Sequence, residues 1–117
     1  MDNFRENNEF IKAMTYLDRM VGKDGSRLRA LLLKNVFLDD DIKDANESIT
    51  EIQKRLLFLL GIIDDDAAKE YIGSIKTSLG AMKAVINAGD TFPDQLKKHM
   101  YNIAEKYSYL TQRIKQL

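Results

Sequence analysis

Leu96, Met100, Ile103, Tyr107, Leu110, Ile114 and Leu117 recur at alternating spacings of four and three. That period puts all seven on one stripe of a single helix, which must lie lengthwise against others to bury it. Two further segments carry the same period. Ile42, Ala45, Ile49, Ile52, Leu56 and Leu59 mark one, and Ala68, Ile72, Ile75, Leu79, Met82 and Ile86 mark the next. No stretch alternates apolar and polar residues as a half-buried strand requires, and no hairpin dipeptide separates β-branched runs. The expected fold class is all-α: a single-domain antiparallel bundle of four to five helices over residues 1–117.

Local chemistry places the helix ends. Asp2 or Asn3 is suited to cap a first helix over about 3–21, with Phe10, Met14, Leu17 and Val21 facing inward and Gly22 at its end. A second helix, over about 26–38, is dense in Leu28, Leu31, Leu32 and Leu33, with Val36, Phe37 and Leu38 behind them. This density predicts burial on most sides and the centre of the core. The triplet Asp39-Asp40-Asp41 favours a fresh N-terminus through capping and the macrodipole, so a third helix is expected over about 40–60, stopped by Gly61. Asp64-Asp65-Asp66 repeats that start for a fourth helix over about 65–88, and Pro93 falls in the first turn of a fifth over about 92–117.

Composition removes several function classes. The 117 residues, 44% hydrophobic, can bury a core without cross-links. Cysteine is absent, which removes disulfides, thiol nucleophiles and thiolate metal sites together. The polar, mixed-charge start lacks the basic and apolar regions of a signal peptide, and the longest apolar run, from Leu56 to Ile63, is far short of the ~20 residues that span a bilayer. A cytoplasmic protein with no membrane partner is expected.

Chemistry-bearing motifs are equally sparse. His99, the single histidine, follows Gln95 and Leu96, so the Glu-x-x-His pair of di-iron bundles is missing. Neither Asp triplet has the alternating acids and central glycine of a calcium loop, and Thr50 stands where its closing Glu would be when counted from Asp39. Gly22 and Gly25 match a GxxG clamp in letters, without the strands that such a loop needs. No phosphate-cradling glycine loop or nucleophile elbow appears. No catalytic residue, cofactor or metal ligand is expected, and the chain reads as non-enzymatic.

What remains is the surface. The 18 basic and 18 acidic residues cancel, yet residues 39–70 carry a net −6 and residues 92–117 a net +3. Packing of the third helix beside the first and last would absorb this asymmetry within the fold. The functional alternative is an acidic surface of Asp39, Asp40, Asp41, Asp64, Asp65 and Asp66 that docks a protein partner. The expected function is macromolecular binding by a small adaptor, inhibitor or immunity-type protein of a bacterium, phage or mobile element.

Two rival readings rest on other residues. Lys97, Lys98, Arg113 and Lys115 on the last helix suggest a nucleic-acid-associated subunit of a larger complex. Helical geometry counts against it, because Lys97 and Tyr101 share one side while Tyr109 and Arg113 turn away from it. Gly73, Thr77, Gly80 and Ala84 form a small-residue stripe on the fourth helix, where each glycine costs ~1 kcal/mol relative to alanine. Close packing within the chain is the default explanation, and a self-assembling structural protein or homodimer built on that face is the alternative.

Overall fold

In the computed structural model, which describes residues 4–22, 27–32, 38–88 and 93–117, the three heptad stripes become three long helices packed together. A 3-10 turn, Phe4–Glu6, precedes α1 (Asn8–Val21); α2 (Arg27–Leu32), α3 (Asp39–Ile62), α4 (Asp66–Asn87) and α5 (Pro93–Gln116) follow. No strand occurs among the described residues. Helix α1 packs on α3, α3 on α4, α4 on α5 and α5 on α1, closing a ring of four, while α2 lies against α1, α3 and α5.

Contacts between distant residues give the directions. Arg5 donates to the Ile114 carbonyl oxygen, Arg113 reaches Asp65 at 2.8 Å, and Asn46 donates to Asn87 at 2.8 Å. The start of each helix therefore meets the end of its neighbour, and the ring is antiparallel throughout.

Every residue of the three stripes is buried except Ile42 and Leu117, which are partly so, and the buried side chains form one cluster. Phe10, Ala13, Leu17, Met20 and Val21 close it from α1. The α4–α5 seam also holds a polar clasp, in which the Asn102 amide donates to Ser78 Oγ at 2.7 Å and Ser74 Oγ at 3.4 Å. Ser78 is the one buried polar side chain among the described residues.

Several boundaries differ from those expected. The cap of α1 is Asn7, whose side chain accepts from the Glu9 and Phe10 amides; Asp2 and Asn3 lie outside the described residues. The chain turns before Asn7 because Phe4 folds inward to meet Phe10 edge-on, with ring centroids 5.1 Å apart. Gly22 does end α1, and a Cβ there would collide with the Asp18 carbonyl oxygen. Gly61, by contrast, does not stop α3, which continues to Ile62. The stop comes from Ile63, which turns into the core, and from Asp65, which accepts the Ala68 amide and starts α4.

Only part of the expected second helix is described, and there burial is uneven. Leu28 is buried and Leu31 partly buried, but Leu38 is 65% exposed because it holds the extended N-cap position of α3. Leu33, Val36 and Phe37, and the side chain of Leu32, lie outside the described residues. The centre belongs to α3 and α4, where Ile49, Ile52, Leu56, Ile72, Ile75 and Leu79 are fully buried.

Candidate interaction surfaces

The six expected acidic residues do not form one face. The two triplets sit at opposite ends of α3, whose 24 residues span ~36 Å. Within them the side chains divide by task. Asp41 accepts the Leu38 amide at 3.1 Å and helps to start α3. Asp65 caps α4 and takes the Arg113 guanidinium on both oxygens, at 2.8 and 2.9 Å. The Arg113 hydrogen bonds, with the Ala68 amide, hold the Asp65 carboxyl at a pKa of about 2, well below its ordinary value. Asp64 is exposed and pairs with Lys69 at 3.2 Å, and Asp39, Asp40 and Asp66 face solvent.

A different acidic feature replaces the expected one. Asp40, Asp44 and Glu47 are spaced by four and three, so they line one side of the first half of α3, and all are exposed. None of the three forms an ion pair among the described residues. The ridge continues to Glu51, which pairs with Arg55 at 3.0 Å. The signal for this ridge in the sequence is its four-and-three spacing, which the two runs of consecutive aspartates do not share.

The charge asymmetry is not absorbed in the expected way either. Helix α3 lies beside α1 and α4, and α5 sits diagonally across the ring. Among the described residues, the ion pair that joins the basic helix to the acidic stretch is Arg113–Asp65 at one end of the bundle. The fold thus separates an acidic α3 side from a basic α5 side.

The basic residues are themselves dispersed. Lys97, Lys98 and Lys115 are exposed, but Lys97 and Lys115 stand ~27 Å apart along α5, and Arg113 is committed to Asp65. Among the described residues these four side chains form no continuous track for a phosphate backbone. The α4 stripe departs from expectation more sharply. Gly73, Thr77, Gly80 and Ala84 all face solvent, and nothing lies within 4 Å of where a Cβ on Gly73 or Gly80 would sit. Close packing within the chain does not explain the two glycines.

A cleft of about 490 Å³ opens between the end of α1, α2 and the first half of α5. Unequal helix lengths create it. The 14 residues of α1 cover ~21 Å of an α5 that is ~36 Å long. Val21, Leu28, Met100 and Ile103 make an apolar floor, Ala104 and Ser108 recede, and Arg29, Lys97, Tyr101, Glu105 and Tyr109 form the rim. Tyr101 is 74% exposed. Tyr109, expected to turn away, reaches the far rim of the same cleft, held by the Tyr71 ring at 5.6 Å and the Lys106 ammonium at 5.5 Å. Only Lys97 and Tyr101 of this group were paired by sequence geometry, because the cleft depends on where α1 ends.

The strongest perturbations of titratable groups are architectural. Tyr107 is buried at the α1–α5 seam, where its hydroxyl donates to Asp18; burial first, and that hydrogen bond second, push the phenol well above its ordinary pKa. Tyr16 lies between the Arg19 and Arg55 guanidinium groups, at 5.5 and 5.3 Å, and joins α1 to α3. His99 is half-buried on α5. Among the described residues no three His, Asp or Glu side chains converge as metal ligands, and no helix is long and apolar enough to cross a membrane.

The architecture defines an antiparallel four-helix bundle with one short additional helix. No protein-family model, curated protein or solved structure matches the chain.

Proposed function

We propose that this protein is a non-enzymatic bundle that acts by binding another macromolecule, presenting the acidic side of α3 to a basic protein partner. One observation carries the reading: Asp40, Asp44 and Glu47 form an exposed ridge diagonally across the bundle from basic α5, with no ion pair among the described residues. Such a ridge adds to association rate and to discrimination between partners more than to raw affinity. An adaptor, inhibitor or immunity-type role in the cytoplasm of a bacterium, or encoded by a phage or mobile element, fits this mode of action. The test is capture of the tagged protein from its host, followed by binding of the recovered partner to Asp44→Lys and Glu47→Lys variants. Charge reversal should slow association and flatten its salt dependence; a partner whose association ignores both changes would remove the acidic ridge from the account.

The exposed glycines support a second reading, a homodimer or a docked partner helix on α4. Small residues on a helix face let another backbone approach closely, which the free space over Gly73 and Gly80 permits. Light scattering on Gly80→Leu decides it: a dimer that becomes a folded monomer favours this reading, and a mass unchanged from a wild-type monomer dismisses self-association.

A further inference from the structure

We infer that the cleft between α1, α2 and α5 is a binding site for a small amphiphilic anion, an apolar body carrying one carboxylate. Its size lies within the 300–1,000 Å³ range of ordinary ligand pockets, and three elements enclose it rather than one groove running the length of the bundle. A compact ligand fits that shape better than a helix. The floor of Val21, Leu28, Met100 and Ile103 has no polar side chain, and Met100 is the flexible residue that adapts such a surface to a guest. Ala104 and Ser108 provide depth, since larger side chains at either position would fill the recess.

The rim selects the head group. Lys97 is exposed, lines the cleft and forms no ion pair among the described residues. Among the described residues the one acid on the rim, Glu105, has the Lys106 ammonium at 3.8 Å, which offsets its repulsion of an anion. The Tyr101 and Ser108 hydroxyls add hydrogen-bond donors on the α5 side. A neutral apolar molecule would use the floor and leave the Lys97 ammonium without a counter-charge. The cleft and the α3 ridge are on different sides of the bundle, so this inference stands apart from the docking role proposed above.

Octanoate is the probe, with octan-1-ol as its uncharged counterpart, in amide-resolved NMR titrations of the full chain. The expected result is saturable shifts centred on Leu28, Lys97, Tyr101, Ala104 and Ser108 with octanoate, at least tenfold weaker with octan-1-ol. Lys97→Glu, at an exposed position, should weaken octanoate binding at least tenfold while leaving the thermal midpoint in place. Ala104→Trp should abolish it by filling the recess, with circular dichroism confirming the helices. Equal affinity for acid and alcohol, shifts scattered over the whole surface, or binding that survives Lys97→Glu would each overturn the inference.

Discussion

Replacing Gly73 and Gly80 together with alanine is expected to stabilise the isolated protein by about 2 kcal/mol. Both positions lie inside α4, both face solvent, and no heavy atom lies within 4 Å of the added methyl group. The gain is then the bare difference in helix propensity, ~0.8–1.0 kcal/mol per site, with no contact made or lost. Seven residues place the sites ~10 Å apart along the axis, far enough for the two effects to add. For a domain of this size the pair should raise the thermal midpoint by roughly 8 °C. Urea unfolding followed by far-UV circular dichroism should give the same free energy with an unchanged slope against denaturant. A midpoint that stays put or falls would refute the reasoning, because it would mean that the α4 surface is already occupied or that the helix there is not regular.

Three further outcomes follow from named contacts. Asp65 has a folded-state pKa of about 2 against ~3.9 unfolded, so its stabilisation is fully present above about pH 5 and is lost as pH falls toward 2. The difference in thermal midpoint between wild type and Asp65→Asn should therefore shrink across that window, and a constant difference would contradict the Arg113 pairing. Tyr107 is the opposite case: its raised pKa favours the folded state below pH 10 and ceases to do so as the unfolded phenol ionises above it. Tyr107→Phe should cost about 1 kcal/mol at neutral pH, since Asp18 is exposed and can recover water, and should show a smaller alkaline loss than wild type in pH-jump unfolding. Ile52→Ala, at a fully buried position, should cost about 2–5 kcal/mol in the same urea experiment.

The parts of this fold that were legible in the sequence are those set by periodicity. Residues of the third, fourth and fifth helices were assigned to the core from spacing alone, and burial agrees at all but Ile42 and Leu117, which are only partly covered. Punctuation was less reliable. Gly61 is tolerated inside α3 because it sits on the exposed face at the last turn, where the loss is only propensity, whereas Gly22 stands where α1 turns extended and a side chain would strike the Asp18 carbonyl oxygen. The density of leucines before residue 38 suggested a central helix, yet Leu38 is outside the core because its backbone must be extended to begin α3. The surfaces were least legible. Consecutive aspartates invited a single acidic face, but their positions at the two ends of α3 separate them, and Asp65 is held by Arg113 through a contact spanning 48 positions. Which helix neighbours which, and where α1 stops short of α5, decide the rest.

The Asn102 clasp has a consequence for how the bundle comes together. A heptad stripe repeats along its own length, so α5 could slide along α4 by one repeat and still meet apolar side chains. Such a slip would take Asn102 away from Ser78 and Ser74 and set its amide against Val85 and Ala81, or against Tyr71 and Ala67. In the alanine- and valine-lined position neither side chain accepts a hydrogen bond, so the half-buried amide loses its serine partners at a cost of ~0.5–1.5 kcal/mol. One amide thus works as a pawl on a ratchet, favouring the tooth that meets Ser74 and Ser78 in a repeat whose hydrophobic side chains alone would accept several.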